Sequence, residues 1–184
     1  MGACAKRGVD LTFFTPRGRF LARTVGEERG NVLLRQAQYR ASDSPYESLR
    51  LAKGFILGKI YNARWVLERA TRDHPMRVPV ERLKELSAQL AAALVRVEEC
   101  ETPDELLGIE GEAAQKYFSG FDSLVLQQRD VFSFTGRSRR PPLNPINALL
   151  SFAYSLLARD CAAALDGVGL DPVSYTHLTL PTNS

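Results

Sequence analysis

The sequence predicts a mainly α-helical fold with a small β part at its start, and three observations carry that reading. From Pro45 onward, apolar residues recur every three or four positions in several long stretches. Runs rich in β-branched and aromatic residues, separated by turn formers, are confined to the segment from Gly8 to about Leu34. Between the helical stretches, HPMRVP, GRSRRPPLNP and DGVGLDP place prolines and glycines where a helix has to stop.

Taken in order, VDLTFFT (9–15), a turn at PRGR, FLARTV (20–25), a turn through EERGN and VLL (32–34) read as strands. Two or three strands are too few for a stable domain, so they either pack on the helices or lack strands that precede Met1. SDSP (42–45) offers a Ser or Asp cap with Pro45 in the first turn. Leu49, Ile56, Ala63 and Ala70, with Tyr46, Ile60 and Leu67, then trace one stripe of a long helix to about Arg72. A second helix begins near Val80, with Leu83, Leu86, Leu90, Leu94 and Val97 on one side, and the two are expected to form an antiparallel hairpin. TPDE (102–105) is a capping box, Thr102 capping and Glu105 reaching back, that starts a further helix, with helix expected to about Leu126. DVFSFT is strand-like or irregular. GRSRRPPLNP is loop, and NPINALLSFAYSLLARDCAAAL (144–165) is the last helix, ended by the glycines of DGVGLDP. Residues 173–184, VSYTHLTLPTNS, are polar and Thr-rich without helical period; they read as translated adaptor sequence and carry no functional weight.

With 184 residues, 45% hydrophobic and 24% charged, the chain can bury one sizeable core, or a core and a small satellite. The formal net charge of +3 names no partner, so any nucleic-acid argument has to come from where arginines cluster. Cys4, Cys100 and Cys161 are far apart and form no C-x-x-C, which points to a reducing, cytoplasmic setting and away from zinc. Only His74 and His177 could add nitrogen ligands, so a metal here would be held by oxygen, as Mg²⁺ or Mn²⁺ is. The start, MGACAKRG, has no signal-peptide core, and the longest apolar run, INALLSFAYSLLA, stops at Arg159, short of a bilayer span.

Glu110 is the residue that asks for an explanation. On a helix it shares a face with Ala113, Ala114 and Tyr117, where a lone carboxylate is costly unless a cation meets it. It is either an early-turn acid complementing the helix dipole or a site residue, with Gly108 and Gly111 beside it leaving room for a backbone or ligand. Arg137, Arg139 and Arg140 sit in a loop just before a helix, either as a solvated basic loop or as a phosphate grip. Tyr61 and Trp65 could stack on bases, but aromatics at helical spacing are more often core, and Tyr154 is read the same way. His74 is a helix-end dipole partner. No G-x-S-x-G, P-loop or Cys and His pair is present.

Read in order, ACAKRGVDLTFFTPRGRFLARTVG, GNVLLRQAQYR, GKIYNARWVL, LLGIEGEAAQKYF and FTGRSRRPPLNPINALLSFAYSLLARDCAAALDGVGLDP resemble the CRISPR-associated spacer-acquisition integrase, the metal-dependent DNA endonuclease of CRISPR adaptation. The wording is most similar to members from type I systems of the C subtype. The resemblance implies an N-terminal β-sandwich, present here only in part over residues 1–40, and an α-helical catalytic domain over 41–172 that is incomplete. It implies that Glu110 binds the catalytic Mg²⁺ or Mn²⁺ and that Arg137, Arg139, Arg140 and Asn147 bind DNA. It implies a homodimer that joins a small dimeric adaptation partner on double-stranded DNA, and the N-terminus and short apolar run lead us to expect no membrane partner. The family's remaining ligands, a histidine soon after GLDP and acidic residues beyond it, have no counterpart; His177 falls near, in unmatched surroundings. Both ends are therefore expected to be clipped. The rival from another class is a non-catalytic helical DNA-binding or scaffold protein in which Glu110 merely pairs with an arginine.

Overall fold

The apolar stripes meet in one helical core in the computed structural model, which describes residues 2–7, 9, 11–15, 20–24 and 31–172. The elements are α1 (Gly2–Lys6), β1 (Leu11–Phe14), β2 (Phe20–Thr24), α2 (Val32–Asp43), α3 (Pro45–Asp73), α4 (Val80–Glu99), α5 (Pro103–Ser119), a 3-10 turn (Phe121–Leu124) and α6 (Pro145–Gly167). The expected turn at PRGR, most of EERGN and the tail with His177 lie outside the described residues.

Strands β1 and β2 form one antiparallel hairpin, with Leu11 opposite Thr24 and Phe13 opposite Ala22. Among the described residues this hairpin is the whole of the sheet, so a partial β-sandwich is not seen. VLL, expected as a strand, instead opens α2. The Asn31 side chain accepts the Leu34 N–H at 3.1 Å, which satisfies a first-turn donor that an isolated three-residue strand would leave unpaired. Residue 40 consequently falls inside a helix rather than at its edge.

Helix α3 starts where the sequence places it, with Ser44 accepting from the Glu47 N–H and Pro45 in the first turn. It packs along α4 in opposite directions. Glu68 takes hydrogen bonds from Lys84 and Ser87 near the connection, while Lys53 reaches the Glu98 carbonyl at 3.0 Å at the far end. Those hydrogen bonds from Lys84 and Ser87 hold the Glu68 carboxyl below its ordinary range. Helix α5 lies across the pair, and Leu67, Leu83, Leu90, Val97 and Leu106 are fully buried where the three meet. Each such side chain contributes about 1.5–3 kcal/mol by leaving water. The α5 capping box forms as expected: Thr102 accepts the Glu105 N–H and Glu105 accepts the Thr102 N–H, both at 3.2 Å. Glu112 bridges Arg96 on α4 and Lys116 one turn on, and these hydrogen bonds, Lys116 first, pull its carboxyl down to about 2.

Helix α5 ends at Ser119 rather than near Leu126, because the chain turns at Gly120 directly over the core. A Cβ there would lie 2.6 Å from Leu86 Cδ1. The connection to α6 is irregular and held by aromatic packing, Phe134 lying on Phe118 and Phe121 at ring separations of 5.7 and 4.9 Å. Asp122 pins it, accepting the Phe134 N–H and an Arg129 N–H, each at 2.8 Å. The Phe134 bond, ahead of Arg129, lowers the Asp122 pKa. Because the folded value is depressed, this stabilisation is complete above the unfolded carboxyl value of about 4 and is lost as pH falls through the lower folded value. Acidification below about pH 4 is expected to loosen the aromatic cluster before the α3–α4 core, seen as an earlier loss of near-UV than of far-UV circular dichroism. Asp122→Asn should remove the pH dependence of that step; a near-UV transition unchanged by the substitution would place its origin elsewhere.

Helix α6 runs past Arg159 to Gly167, close to the end read at Leu165, so the helix is longer than the apolar run that stops at Arg159. By length and composition it could cross a membrane, and none of its most apolar window is buried. The same composition marks a helix that packs on other protein. Its far end is tied to α2. Gln38 donates to the Asp171 carbonyl and accepts the Asp171 N–H, both at 2.8 Å, and Tyr39 donates to the Asp171 carboxylate at 2.9 Å.

Candidate functional site

The α5 face that carries Glu110 opens on a cavity of about 240 Å³ between α3, α4, α5 and α6. Ala113, Ala114 and Tyr117 line it with Glu110, as the helical spacing requires. Leu90 comes from α4, Tyr154 from α6, and Lys59 and Asn62 from α3. The cavity is mostly apolar with few convergent polar groups, and at this volume it suits one portion of a larger ligand. Burial, with Tyr154 adding, pushes the Tyr117 phenol up to about 12, so it stays neutral and can only share its proton in a hydrogen bond. Gly108 and Gly111 meet no other part of the chain: an added Cβ at either would have nothing within 4 Å.

Glu110 does have a cationic partner. Lys59, 51 residues earlier on α3, donates to Glu110 Oε1 across the helix interface. The carboxylate side chain is 13% exposed and the lysine 48%. Sequence reasoning missed Lys59; its one signal was a lysine directly beside the buried stripe residue Ile60, and nothing in the spacing says which acid it meets.

The basic loop meets one wall of that cavity, Tyr154, through Arg137. Gly136, at φ 149°, takes a backbone conformation that L side chains rarely adopt, and its carbonyl accepts the Asn147 amide N–H at 2.8 Å. Asn147 Oδ1 in turn accepts from Arg137 at 2.9 Å and from the Ser138 N–H at 3.0 Å. Asn147, expected to bind DNA, is 0% exposed, with its amide oxygen and nitrogen both bonded to the loop, so in this structure it supports the loop from beneath. Arg137 is half-buried. It donates to Ser138 and Ser151 as well, and its guanidinium lies 5.6 Å from the centre of the Tyr154 ring. Burial, then the neighbouring Arg139, lowers its pKa from the usual guanidinium value. Arg139 and Arg140 are exposed on the outer side of the loop. Tyr154 therefore joins two features the sequence kept apart, since it walls the Glu110 cavity and carries Arg137. Tyr61 and Trp65, read as core, are 49% and 46% exposed and pack edge to face at 6.0 Å. His74 ends α3 through its backbone N–H, which donates to the Ala70 carbonyl at 3.0 Å, a bond that makes no use of its imidazole.

A divalent ion fits this arrangement poorly. Glu110 is the cavity's one carboxylate, Lys59 already meets it, and no group of three His, Cys, Asp or Glu is placed to hold a metal among the described residues. Mg²⁺ and Mn²⁺ take more protein or water oxygens than one side chain supplies.

The profile of the family described as "CRISPR associated protein Cas1" matches residues 1–181. A protein named CRISPR-associated endonuclease Cas1 1 of Chlorobaculum tepidum is 47% identical over 182 residues, covering 98% of this chain and 53% of the relative. CRISPR-associated endonuclease Cas1 2 of Rhodospirillum rubrum is also 47% identical, over 186 residues, with the same coverages. The chain thus spans about half the length of these relatives. Among solved structures, a casposase bound to integration product superposes with a TM-score of 0.71 at 28% identity, over 91% of this chain and 45% of that one. A CAS1 protein from Thermotoga maritima shares the fold, with a TM-score of 0.68 at 24% identity over 93% of this chain and 51% of that one.

Proposed function

The chain belongs to the CRISPR-associated Cas1 family, and we propose that it is part of a DNA endonuclease and integrase that inserts foreign spacers into a CRISPR array. The proposed reaction is a transesterification: a 3′-hydroxyl of a short foreign DNA attacks a phosphodiester of the repeat, a new P–O bond forms and the old one breaks. One observation supports this reading most, the sharing of Tyr154 between the Glu110 cavity and the arginine loop, which links a carboxylate to the loop proposed to grip phosphates. Arg139 and Arg140 grip backbone phosphates, which gives affinity without base information. Asn147 and Arg137 act as positioning residues that hold the loop against Tyr154. The cofactor of the whole protein is proposed to be Mg²⁺ or Mn²⁺. Glu110 would give one ligand, and the others would lie outside the described residues.

Double-stranded DNA and a Cas2 partner are proposed; the similar structures titled as a casposase bound to integration product and as a Cas6-RT-Cas1–Cas2 complex support them. A homodimer in the cytoplasm completes the reading, and the assignment to type I, subtype C rests on sequence wording alone. The pairing of Glu110 with Lys59 favours a second reading, a non-catalytic DNA-binding scaffold. DNA binding by the chain itself tests what both share. Arg139→Ala with Arg140→Ala is expected to lower the slope of log K against log salt by about 2 and to weaken binding about equally for unrelated duplexes. An unchanged slope removes the loop from the DNA interface.

A further inference from the structure

We infer that the Tyr117 hydroxyl is a substrate contact in the Glu110 cavity, a hydrogen-bond donor to a phosphodiester oxygen of bound DNA. The inference rests on the proposed function for the identity of the ligand; the unpartnered hydroxyl itself stands on the geometry. Tyr117 follows Glu110 by two turns of α5, on the same face, and lines the same cavity. Its ring packs edge to face against Phe118 and Phe121, with centroids 5.3 and 5.8 Å away, so packing fixes where the phenol oxygen sits. That oxygen has no hydrogen-bond partner among the described residues. It is not sealed from its surroundings either, because the one side-chain atom both buried and unpartnered among those residues is Arg64 Nε.

A half-buried phenol that opens on a mostly apolar cavity, with no partner inside the fold, is a donor left for a ligand. Tyr154 connects it to the proposed phosphate grip. That residue lines the cavity with Tyr117, and its ring lies 5.6 Å from the Arg137 guanidinium. The two phenols differ in what serves them: Tyr154 is 49% exposed and open to solvent, whereas Tyr117 is half-buried and faces the cavity. Burial keeps Tyr117 protonated up to about 12, so it offers its proton to an acceptor without carrying charge. The Lys59 ammonium, by contrast, is already engaged by Glu110. An uncharged donor releases no counter-ion when it meets a phosphate, which separates its contribution from that of Arg139 and Arg140.

Duplex binding by the 184-residue chain at several salt concentrations, beside thermal melts, tests this with wild type and Tyr117→Phe. The substitution removes one oxygen that nothing in the fold bonds, so the Tm should stay within about 2 °C of wild type. The dissociation constant should rise about 3–10-fold at every salt concentration, with the slope of log K against log salt unchanged. Unrelated duplexes should lose equally, since a phosphodiester contact carries no base information. Wild-type affinity in the variant, a slope that falls with the oxygen, or a loss confined to one sequence would overturn the inference. A Tm lowered by more than about 2 °C is equally fatal, because it places the hydroxyl in a bond within the fold. The Arg139→Ala, Arg140→Ala variant is read separately. A lowered slope there, alongside unchanged affinity in Tyr117→Phe, removes the Tyr117 contact and spares the proposed function. An unchanged slope there, alongside weakened binding by Tyr117→Phe, keeps the contact and takes the phosphate grip away from the loop. A wild-type chain that binds no duplex removes both.

Discussion

Glu110→Ala, made in a protein extended to the full length of its relatives, is expected to lower divalent-dependent DNA cutting and strand joining by at least about 10²-fold. Binding to duplex DNA should hold, because the phosphate grip is proposed for Arg139 and Arg140, which are exposed and do not line the cavity, and the cavity adds no cation of its own beyond Lys59. Fold stability should hold as well, since the substitution leaves a half-exposed lysine that water can solvate. The expected pattern is therefore a fall in turnover with little change in DNA affinity, separating an acid used in the reaction from one used in docking helices. Turnover matching that of the parent protein, measured at saturating DNA, would favour the scaffold reading, in which the Lys59–Glu110 pair is only a structural link.

Leu90→Ala carries the largest expected cost to stability, about 3–5 kcal/mol, equivalent to a Tm lower by roughly 6–15 °C for a chain of this size. Leu90 is fully buried on α4, and with Ile60 and Ala113 it belongs both to the core of α3, α4 and α5 and to the wall of the Glu110 cavity. Truncation removes apolar contacts from both, and the surrounding helices are tied by Glu68 to Lys84 and Ser87 and by Glu112 to Arg96, so they cannot close the gap freely. Met76→Ala is the control, because Met76 is almost wholly exposed in the turn between α3 and α4. If the two substitutions shift the Tm equally, the packing around Leu90 differs from that described.

Much of the helical scaffold was legible because it is local. Ser44 with Pro45, Thr102 with Glu105, and the leucines of α4 specify starts and buried faces within a few turns, and the structure places all three as read. The face shared by Glu110, Ala113, Ala114 and Tyr117 was legible for the same reason. VLL was not, since three β-branched or leucine residues carry no helical period, and the cap that recruits them to α2 lies in Asn31. The exposure of Tyr61 and Trp65 was missed because helical spacing says which residues share a face and not whether anything covers it.

By itself, then, the amino-acid order determined the family, the helices from α3 onward and the presence of an acid on an apolar face. Only the tertiary structure decided what meets that acid. Lys59 is brought to Glu110 by the docking of α3 on α5, Asn147 is drawn under the arginine loop, and Tyr154 is shared between loop and cavity. Periodicity and capping act over one or two turns and are written in neighbouring residues, whereas charge pairing across 51 positions depends on how whole helices pack.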